Sequence, residues 1–262
     1  MNRIPTLLVL VPLTACAATG APIVQPLKDA KPVEVHYGSR LSGAAGTPAL
    51  DAPPQVAADE TRSAALVQLS CKLIEMDRAD AAALLGEGLR GARTSRGAAA
   101  GAIASLESAG AKSVVAPMLV LFDGGRGDLQ VVTTSAFVEA FEITESGDSS
   151  IGDPVIGSVS EGVSIEAGTS VIGDGSAVRL ELRLRACDVL EPIRETSARL
   201  PGCDTAVTVQ LPLCFVQDVS ASADLGPDEA LVIGGLPTKR EGRVRVAFLS
   251  TRVAPPETAA AR

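Results

Sequence analysis

Residues 178–185 read Val-Arg-Leu-Glu-Leu-Arg-Leu-Arg, with a charged residue after every apolar one. Because successive side chains of a β-strand point to opposite faces, this alternation predicts a strand with one buried and one solvated face. Residues 243–248 repeat the pattern, and four more runs are alternating or rich in β-branched residues, at 66–76, 114–122, 129–134 and 207–223. Turns rich in Gly and Asp separate these runs, so the sequence predicts a domain built mainly of β-strands.

Two stretches favour helices instead. In residues 98–109, Ile103 and Leu106 share one helical face, and Gly110 stands where a glycine commonly ends a helix. A second helix is predicted at residues 78–89. The predicted fold class is therefore α+β, mainly β, with mixed or antiparallel sheets and one or two short helices.

Composition excludes several classes of protein. A hydrophobic fraction of 46% in 262 residues is ample for a packed core, and the net charge of −8 argues against a nucleic-acid-binding surface. The aromatic content of 2% cannot supply the aromatic girdles of a free-standing transmembrane barrel. The longest apolar run, residues 4–13, is about half of the roughly 20 residues that a membrane-spanning helix needs.

The start of the chain is typical of an export signal. Arg3 gives a positive start, the apolar run follows, and small residues precede Cys16. Residues 13–16, Leu-Thr-Ala-Cys, resemble the lipobox of bacterial lipoproteins, which are cut before a cysteine that then carries lipid. The resemblance implies a signal peptide at 1–15 and lipidation of Cys16; the alternative is an ordinary cleaved signal in which Cys16 is incidental. Because Ala17 is not an aspartate, the outer membrane, facing the periplasm, is favoured.

Proline, glycine and alanine mark the ends of the mature chain. Residues 16–60 carry no hydrophobic period and are predicted to form a flexible, disordered tether. The prolines that follow Ala254 cannot continue a strand, so residues 254–262 are predicted to be a disordered tail. The folded body is then residues 61–253.

Within this body, the order of several short motifs resembles the C-terminal domain of the bacterial secretins. These are the ring-forming channels of type II and type III secretion and of type IV pilus systems. The matching elements are an opening strand with Glu75, a strand with Pro117, an Asp123-Gly124 turn, a glycine-containing passage at Gly162, and the segment Gly234-Gly235-Leu236. Each motif alone is a strand and a turn, and it is their collinear order that supports the resemblance.

The resemblance implies a non-enzymatic envelope lipoprotein that acts in protein secretion or pilus-type export, as a ring subunit or as a docking component. Its implied partners are the membrane, through the lipid, and copies of itself or other secretion-system proteins. The sequence also departs from the family, since the small periplasmic domains and the segments that build the gate are missing. An alternative is a monomeric structural or binding lipoprotein that keeps the fold without a channel.

The remaining candidate chemistry concerns cysteine and histidine. Cys187 and Cys203 flank a connection between two predicted strands, which predicts a disulfide between them; Cys71 and Cys214 then either pair or remain buried thiols. The only histidine, His36, lies in the predicted tether, so no metal site, no cofactor and no His-dependent catalysis is expected in the body. A lipid-tethered envelope enzyme remains the least favoured alternative.

Overall fold

In a computed structural model the described residues are 33–43, 65–85, 91–146, 149–199 and 206–254. They form eleven strands and two helices. In chain order these are β1 (Glu34–Gly43), β2 (Leu66–Asp77), α1 (Arg78–Leu85), β3 (Ala92–Ser95), α2 (Arg96–Ser108), β4 (Lys112–Val115), β5 (Met118–Phe122), β6 (Arg126–Ser146), β7 (Ser149–Ile172), β8 (Ala177–Arg199), β9 (Ala206–Leu225), β10 (Glu229–Pro237) and β11 (Arg243–Ala254).

The strands form two antiparallel sheets. The long sheet has the order β1-β9-β8-β7-β6, and its strands β6 to β9 are 20 to 24 residues long. The short sheet has the order β3-β10-β11-β2-β4, with β5 also paired to β2. Every strand pair among the described residues is antiparallel. The mainly β, α+β fold class with two short helices is thus confirmed.

The main hydrophobic core lies between the two sheets. The apolar positions of the 178–185 run, Leu180, Leu182 and Leu184, are at most 3% exposed and meet Leu69 and Leu73 of β2 in this core. The alternation therefore marked the buried face of β8 correctly. A second core lies on the other side of the short sheet, where α1 and α2 pack on residues such as Phe248. The molecule is thus layered as long sheet, short sheet and helices.

Local signals determine where α2 begins and ends. Ser95 is the N-cap, and its side chain accepts a hydrogen bond from the Ala98 N–H at 3.2 Å. At the other end the Ala111 N–H donates to the Leu106 carbonyl and the Gly110 N–H donates to the Glu107 carbonyl, while Gly110 has φ +92°. This is the Schellman arrangement that the glycine predicted. The helix predicted at 78–89 is α1, and residues 86–89 lie outside the described range.

Part of the predicted tether is structured. Residues 34–43 form β1, which pairs with Leu213–Ser222 of β9 along its whole length, so the prediction of a flexible segment is wrong for these residues. Prolines and glycines surround this stretch, and β1 acquires its conformation from the exposed edge of β9 rather than from a pattern of its own. The rest of the predicted tether, the signal, Cys16 and residues 255–262 lie outside the described residues. Neither described helix is long and apolar enough to cross a membrane.

Candidate functional site

The long sheet divides into two ribbons partway along its strands. β7 and β8 pair only from Gly162 opposite Cys187 to Ile172 opposite Ala177, whereas β6–β7 and β8–β9 stay paired far beyond that point. We call residues 132–146 and 149–161 the β6–β7 ribbon, and residues 188–199 and 206–216 the β8–β9 ribbon. Below the division β6, β7, β8 and β9 form one continuous sheet. We call this part of the long sheet, together with the short sheet that packs on it, the base.

Gly162 lies at the point of division. Its φ is +146°, and a β-carbon there would lie 2.2 Å from the Val131 carbonyl oxygen and 2.8 Å from the Val132 Cα. A side chain at this position would be both strained in conformation and in collision with the neighbouring backbone. The glycine singled out by the family resemblance therefore permits the close approach of β6 and β7 where the ribbons begin.

The two ribbons pack on each other through a small separate core. Phe137 and Val159 come from the β6–β7 ribbon, and Val189, Cys214 and Val216 come from the β8–β9 ribbon; all five are at most 7% exposed. The β6–β7 ladder shifts register between Val138 and Ala140. There, the Val138 N–H donates to Gln210 Oε1 at 3.2 Å, so a side chain of β9 satisfies a donor of the interrupted strand.

Two strand edges of the long sheet have no further strand partner among the described residues, although the Val138 N–H of β6 reaches the Gln210 side chain of β9 within the same chain. β6 is one outer strand, and β1, at the other side, covers only residues 213–222 of β9. Residues 206–212 of β9 thus have β8 as their only strand partner among the described strands. Ile143 on β6 and Leu211 on β9 are apolar and 41% and 50% exposed. An open edge with exposed apolar side chains is a template for pairing with another strand.

The outer face of the base of the long sheet is a ladder of ion pairs. Arg179 pairs with Asp224 at 2.9 Å, Arg185 with Asp218 at 2.7 Å, and Arg126 with Glu181 at 3.0 Å. The hydrogen bond to Asp224 raises the pKa of Arg179 further above its ordinary value. Each of these arginines therefore has an acidic partner across the ladder, which leaves little net positive field.

The motif residues Glu75 and Pro117 belong to the part of the short sheet around β2. The Glu75 side chain, on β2, lies 3.3 Å from Arg240 Nη1 and 3.3 Å from Arg243 Nε, beside the turn between β10 and β11. Pro117 lies between β4 and β5, and its carbonyl accepts a hydrogen bond from the Cys71 N–H at 3.0 Å. Proline has no backbone N–H to donate, so Pro117 interrupts the hydrogen-bond ladder at the point where β2 changes its partner from β4 to β5.

Asp123 and Gly124 connect the two sheets. They form the turn between β5 of the short sheet and β6 of the long sheet, with Gly124 at φ +66°. The Asp123 N–H donates to the Ala65 carbonyl at 3.0 Å, and Asp123 Oδ1 accepts from the Val171 N–H at 2.7 Å. One aspartate thus joins the start of β2 to the end of β7.

The double glycine lies at a bulge in β10. The β10–β11 register shifts between Ile233 and Leu236, and Gly235 has φ +78°. The Tyr37 hydroxyl donates to the Gly234 carbonyl at 2.9 Å, which ties β1 to the short sheet. Leu236 returns to the core between the sheets and is 1% exposed. The seven polar, glycine and proline motif positions and Leu236 thus have structural roles in turns, bulges and sheet junctions.

A buried ion pair joins the sheets and was not foreseen from the sequence. Arg245 of β11 donates to Asp188 of β8 through Nη1 at 3.0 Å and Nη2 at 2.5 Å, and the residues are 7% and 2% exposed. The alternation of residues 243–248 predicted a solvated Arg245. That prediction is wrong because helices and the long sheet cover both faces of β11.

The three described cysteines carry free thiols. Cys71 is buried between the sheets, and burial raises the pKa of its thiol from 9.0 to about 12. Cys187 neighbours Cys214 in the core between the ribbons. Cys203 lies outside the described residues, so the Cys187–Cys203 disulfide stays a prediction. The described residues contain no group of three or more His, Cys, Asp or Glu side chains placed to hold a metal ion.

No family model matches the chain, and no curated protein matches it. Solved structures with similarity include secretin structures from Salmonella. The InvG secretin domain beta-barrel from the SPI-1 injectisome NC-base is 10% identical over 75% of this chain and 63% of that chain, with a TM-score of 0.26. The type III secretion injectisome secretin InvG is 10% identical over 75% of this chain and 65% of that chain, with a TM-score of 0.25. The chain spans less than two thirds of the length of each.

Proposed function

We propose that the protein is a secretin-like lipoprotein of the cell envelope, acting in protein secretion or pilus-type export as a ring subunit or as a docking component of such a ring. The observation that carries the proposal is the pair of open edges on one long-stranded sheet. The collinear order of the family-like motifs, from Glu75 to Leu236, supports it independently. The function needs no catalytic group, and the protein is not proposed to be an enzyme.

The directions of the open strands favour a ring. β6 and β9 are separated by two strands of an antiparallel sheet, so they run in opposite directions. β6 of one copy could therefore pair antiparallel with the free part of β9 in the next copy. Such a contact joins two different surfaces of the chain, and repeated contacts of this kind close into a ring when the rotation between copies permits. Closure also removes the exposed edges.

The membrane attachment proposed here is a lipid on Cys16, followed by a tether that leads to β1. Two or three acyl chains, at roughly 0.8 kcal/mol per buried CH₂, suffice for stable anchoring. The proposed location is the outer membrane, with the folded body of residues 61–253 and the preceding β1 facing the periplasm. Replacing Cys16 with serine should release the protein from washed membranes; retention of the variant there would argue against anchoring by lipid alone.

The competing candidate is a monomeric binding or structural lipoprotein. β1 favours this candidate, because it pairs with residues 213–222 of β9 and so occupies the edge of the long sheet at the base. The charges on the outer face of the base also pair with each other, as Arg185 does with Asp218, so they need no partner protein to neutralise them.

The deciding experiment is the molar mass of the lipidated protein extracted in mild detergent, measured by size-exclusion chromatography with light scattering and followed by negative-stain imaging. A closed ring with a mass many times that of one chain is the expected result. A monomer or dimer would overturn the ring-subunit proposal and favour the competing candidate.

Matched variants locate the contact. Ile143→Lys places a charge on the open edge of β6, and Leu211→Lys places one on the open part of β9, so each alone should reduce the mass to small species. Val120→Lys on β5 is the control, because Val120 is 59% exposed but belongs to the short sheet. Rings that survive both edge substitutions, or that Val120→Lys disrupts equally, would contradict pairing through these edges.

A further inference from the structure

Cys187 and Cys214 lie across from each other where the two ribbons meet the base. In the β8–β9 ladder Cys187 pairs with Val216, and Val189 pairs with Cys214. Because side chains alternate along a strand, the two cysteines are diagonal neighbours on one face. Both belong to the small core between the ribbons, with Cys214 4% exposed and Cys187 half-buried against it.

The two thiols already interact. Burial, and next the charge and hydrogen bonding of Cys214, raise the pKa of Cys187 from 9.0 to about 12. Diagonal Cα atoms in an antiparallel pair are about 7–8 Å apart, and a disulfide prefers up to about 6.8 Å, so the Cys187–Cys214 diagonal must shorten by about 1 Å. The ladder shifts register just beyond this point, between Leu190 and Arg194, and so leaves the strands room to adjust.

We infer that Cys187 and Cys214 form a disulfide that links β8 to β9 at the division of the long sheet. This inference concerns a modification site and does not depend on ring assembly. The site differs from the Cys187–Cys203 bridge predicted from the sequence, because the β8–β9 register places Cys214 beside Cys187.

The oxidant is an external disulfide, either of a thiol oxidoreductase or of a small molecule such as glutathione disulfide. The half-exposed Cys187 loses its proton and attacks one sulfur of the external disulfide, which releases one thiolate and leaves a mixed disulfide. Cys214 then loses its proton, attacks the Cys187 sulfur and releases the second thiolate. Two protein thiols are oxidised by two electrons in total, and the external disulfide is reduced to two thiols.

The bond would close the β8–β9 hairpin where the ribbons meet the base. It would lower the conformational entropy of the unfolded chain and so stabilise the folded state. For a hairpin of this length we expect the melting temperature of the oxidised protein to exceed that of the reduced protein by about 5–10 °C. The link also holds one side of the small core in place, next to Phe137 and Val159.

The test uses the whole chain with Cys16→Ser, purified in the reduced form and incubated with glutathione disulfide at pH 7, 8 and 9. Peptide mapping by mass spectrometry without reduction should identify a Cys187–Cys214 link and the loss of two hydrogens. Because the attacking thiolate is scarce far below its pKa, the rate should rise about tenfold per pH unit.

Four variants give the test its specificity. Cys187→Ala should abolish the link, and Cys214→Ala should stop the reaction at a glutathione adduct on Cys187. Cys203→Ser and Cys71→Ser should leave the Cys187–Cys214 link intact. A Cys187–Cys203 link in the parent protein, or two thiols that remain open to alkylation after prolonged oxidation at pH 9, would overturn the inference, and neither result depends on how the variants fold.

Discussion

At the scale of single residues, Gly162 has the sharpest expected effect. Its φ of +146°, and the 2.2 Å that would separate an added β-carbon from the Val131 carbonyl oxygen, leave no room for alanine. We expect Gly162→Ala to lower the free energy of unfolding by about 2–4 kcal/mol, through backbone strain and collision combined. Chemical denaturation followed by circular dichroism measures this change.

Gly101 is the matched control for that substitution. It lies in α2, and outside its chain neighbours and the nearby backbone of its own helix no atom lies within 4 Å of the position of an added β-carbon. Gly101→Ala should therefore stabilise the protein by up to about 1 kcal/mol, because alanine favours a helix more than glycine does. Equal effects of the two substitutions would show that Gly162 has no special role where the ribbons begin.

Cys71 makes stability depend on alkaline pH. Its burial raises the thiol pKa from 9.0 to about 12, so the folded protein retains a proton that the unfolded chain releases. The contribution of this thiol is fully present below pH 9 and is lost as the pH rises toward 12. In that window each pH unit should lower the free energy of unfolding by about 1.4 kcal/mol.

The measurement compares the reduced parent protein with Cys71→Ala between pH 7.5 and 10.5. The variant loses a little stability at neutral pH, since a sulfur leaves the core, but its free energy of unfolding should fall less steeply above pH 9. The other titrating groups, Cys187 among them, are the same in both proteins and cancel in the difference. Parallel curves would contradict the buried-thiol explanation.

At the scale of elements, the ion pair of Arg245 and Asp188 joins β11 to β8. Removing one partner leaves a buried charge unpaired, so Arg245→Met should cost about 3–5 kcal/mol. Arg245→Met combined with Asp188→Leu should recover much of that loss, because both charges are gone. The free energies of unfolding of the two single variants and the double variant form the cycle that tests this.

Arg179→Met is the surface counterpart, because the Arg179 side chain is 55% exposed in its pair with Asp224. It should change stability far less than Arg245→Met does, because solvent screens an exposed ion pair. A double variant as unstable as the sum of the single losses would mean that Arg245 and Asp188 do not stabilise each other.

The elements also show what the sequence could predict. The alternation in β8, and the cap and glycine of α2, identified these elements because the signals are local. β7 was missed as a strand, since Gly157, Gly162 and Pro154 interrupt its pattern and its partners β6 and β8 are what hold it extended. β1 was predicted to be tether for the same reason: its conformation depends on β9.

The candidate site could be predicted only in part. Motif glycines such as Gly162 and Gly235 were singled out by the family resemblance alone, and the structure gives both a positive φ, which glycine adopts without strain. Open strand edges have no sequence pattern of their own, since an edge is defined by the absence of a neighbour in the folded sheet. The pairing of Arg245 with Asp188 spans 57 positions in the chain, and alternation alone assigned Arg245 to the solvent side.

At the scale of the whole molecule, the structure consists of a base with a large core and two ribbons held together by a small one. The base buries side chains of both sheets together, including Leu184, Ile233 and Leu249. Above the division the described parts of the ribbons are joined by the cluster around Phe137 and by the Val138–Gln210 hydrogen bond, and they lack β7–β8 backbone pairing. We therefore expect the ribbons to open at a lower free energy than the base.

Phe137→Ala tests this division, because Phe137 is 6% exposed and central to the small core. In native-state hydrogen exchange, amides of residues 139–144 and 206–212 should lose protection by a factor of ten or more, which is about 1.4 kcal/mol. Amides of residues 163–171 and 178–186 should keep theirs. Leu184→Ala, in the large core, should instead lower protection throughout, since Leu→Ala in a core costs about 2–5 kcal/mol and acts on global unfolding. If Phe137→Ala reduced protection equally in ribbons and base, the molecule would unfold as one unit, and the ribbons could not rearrange independently when neighbouring copies pair along their edges.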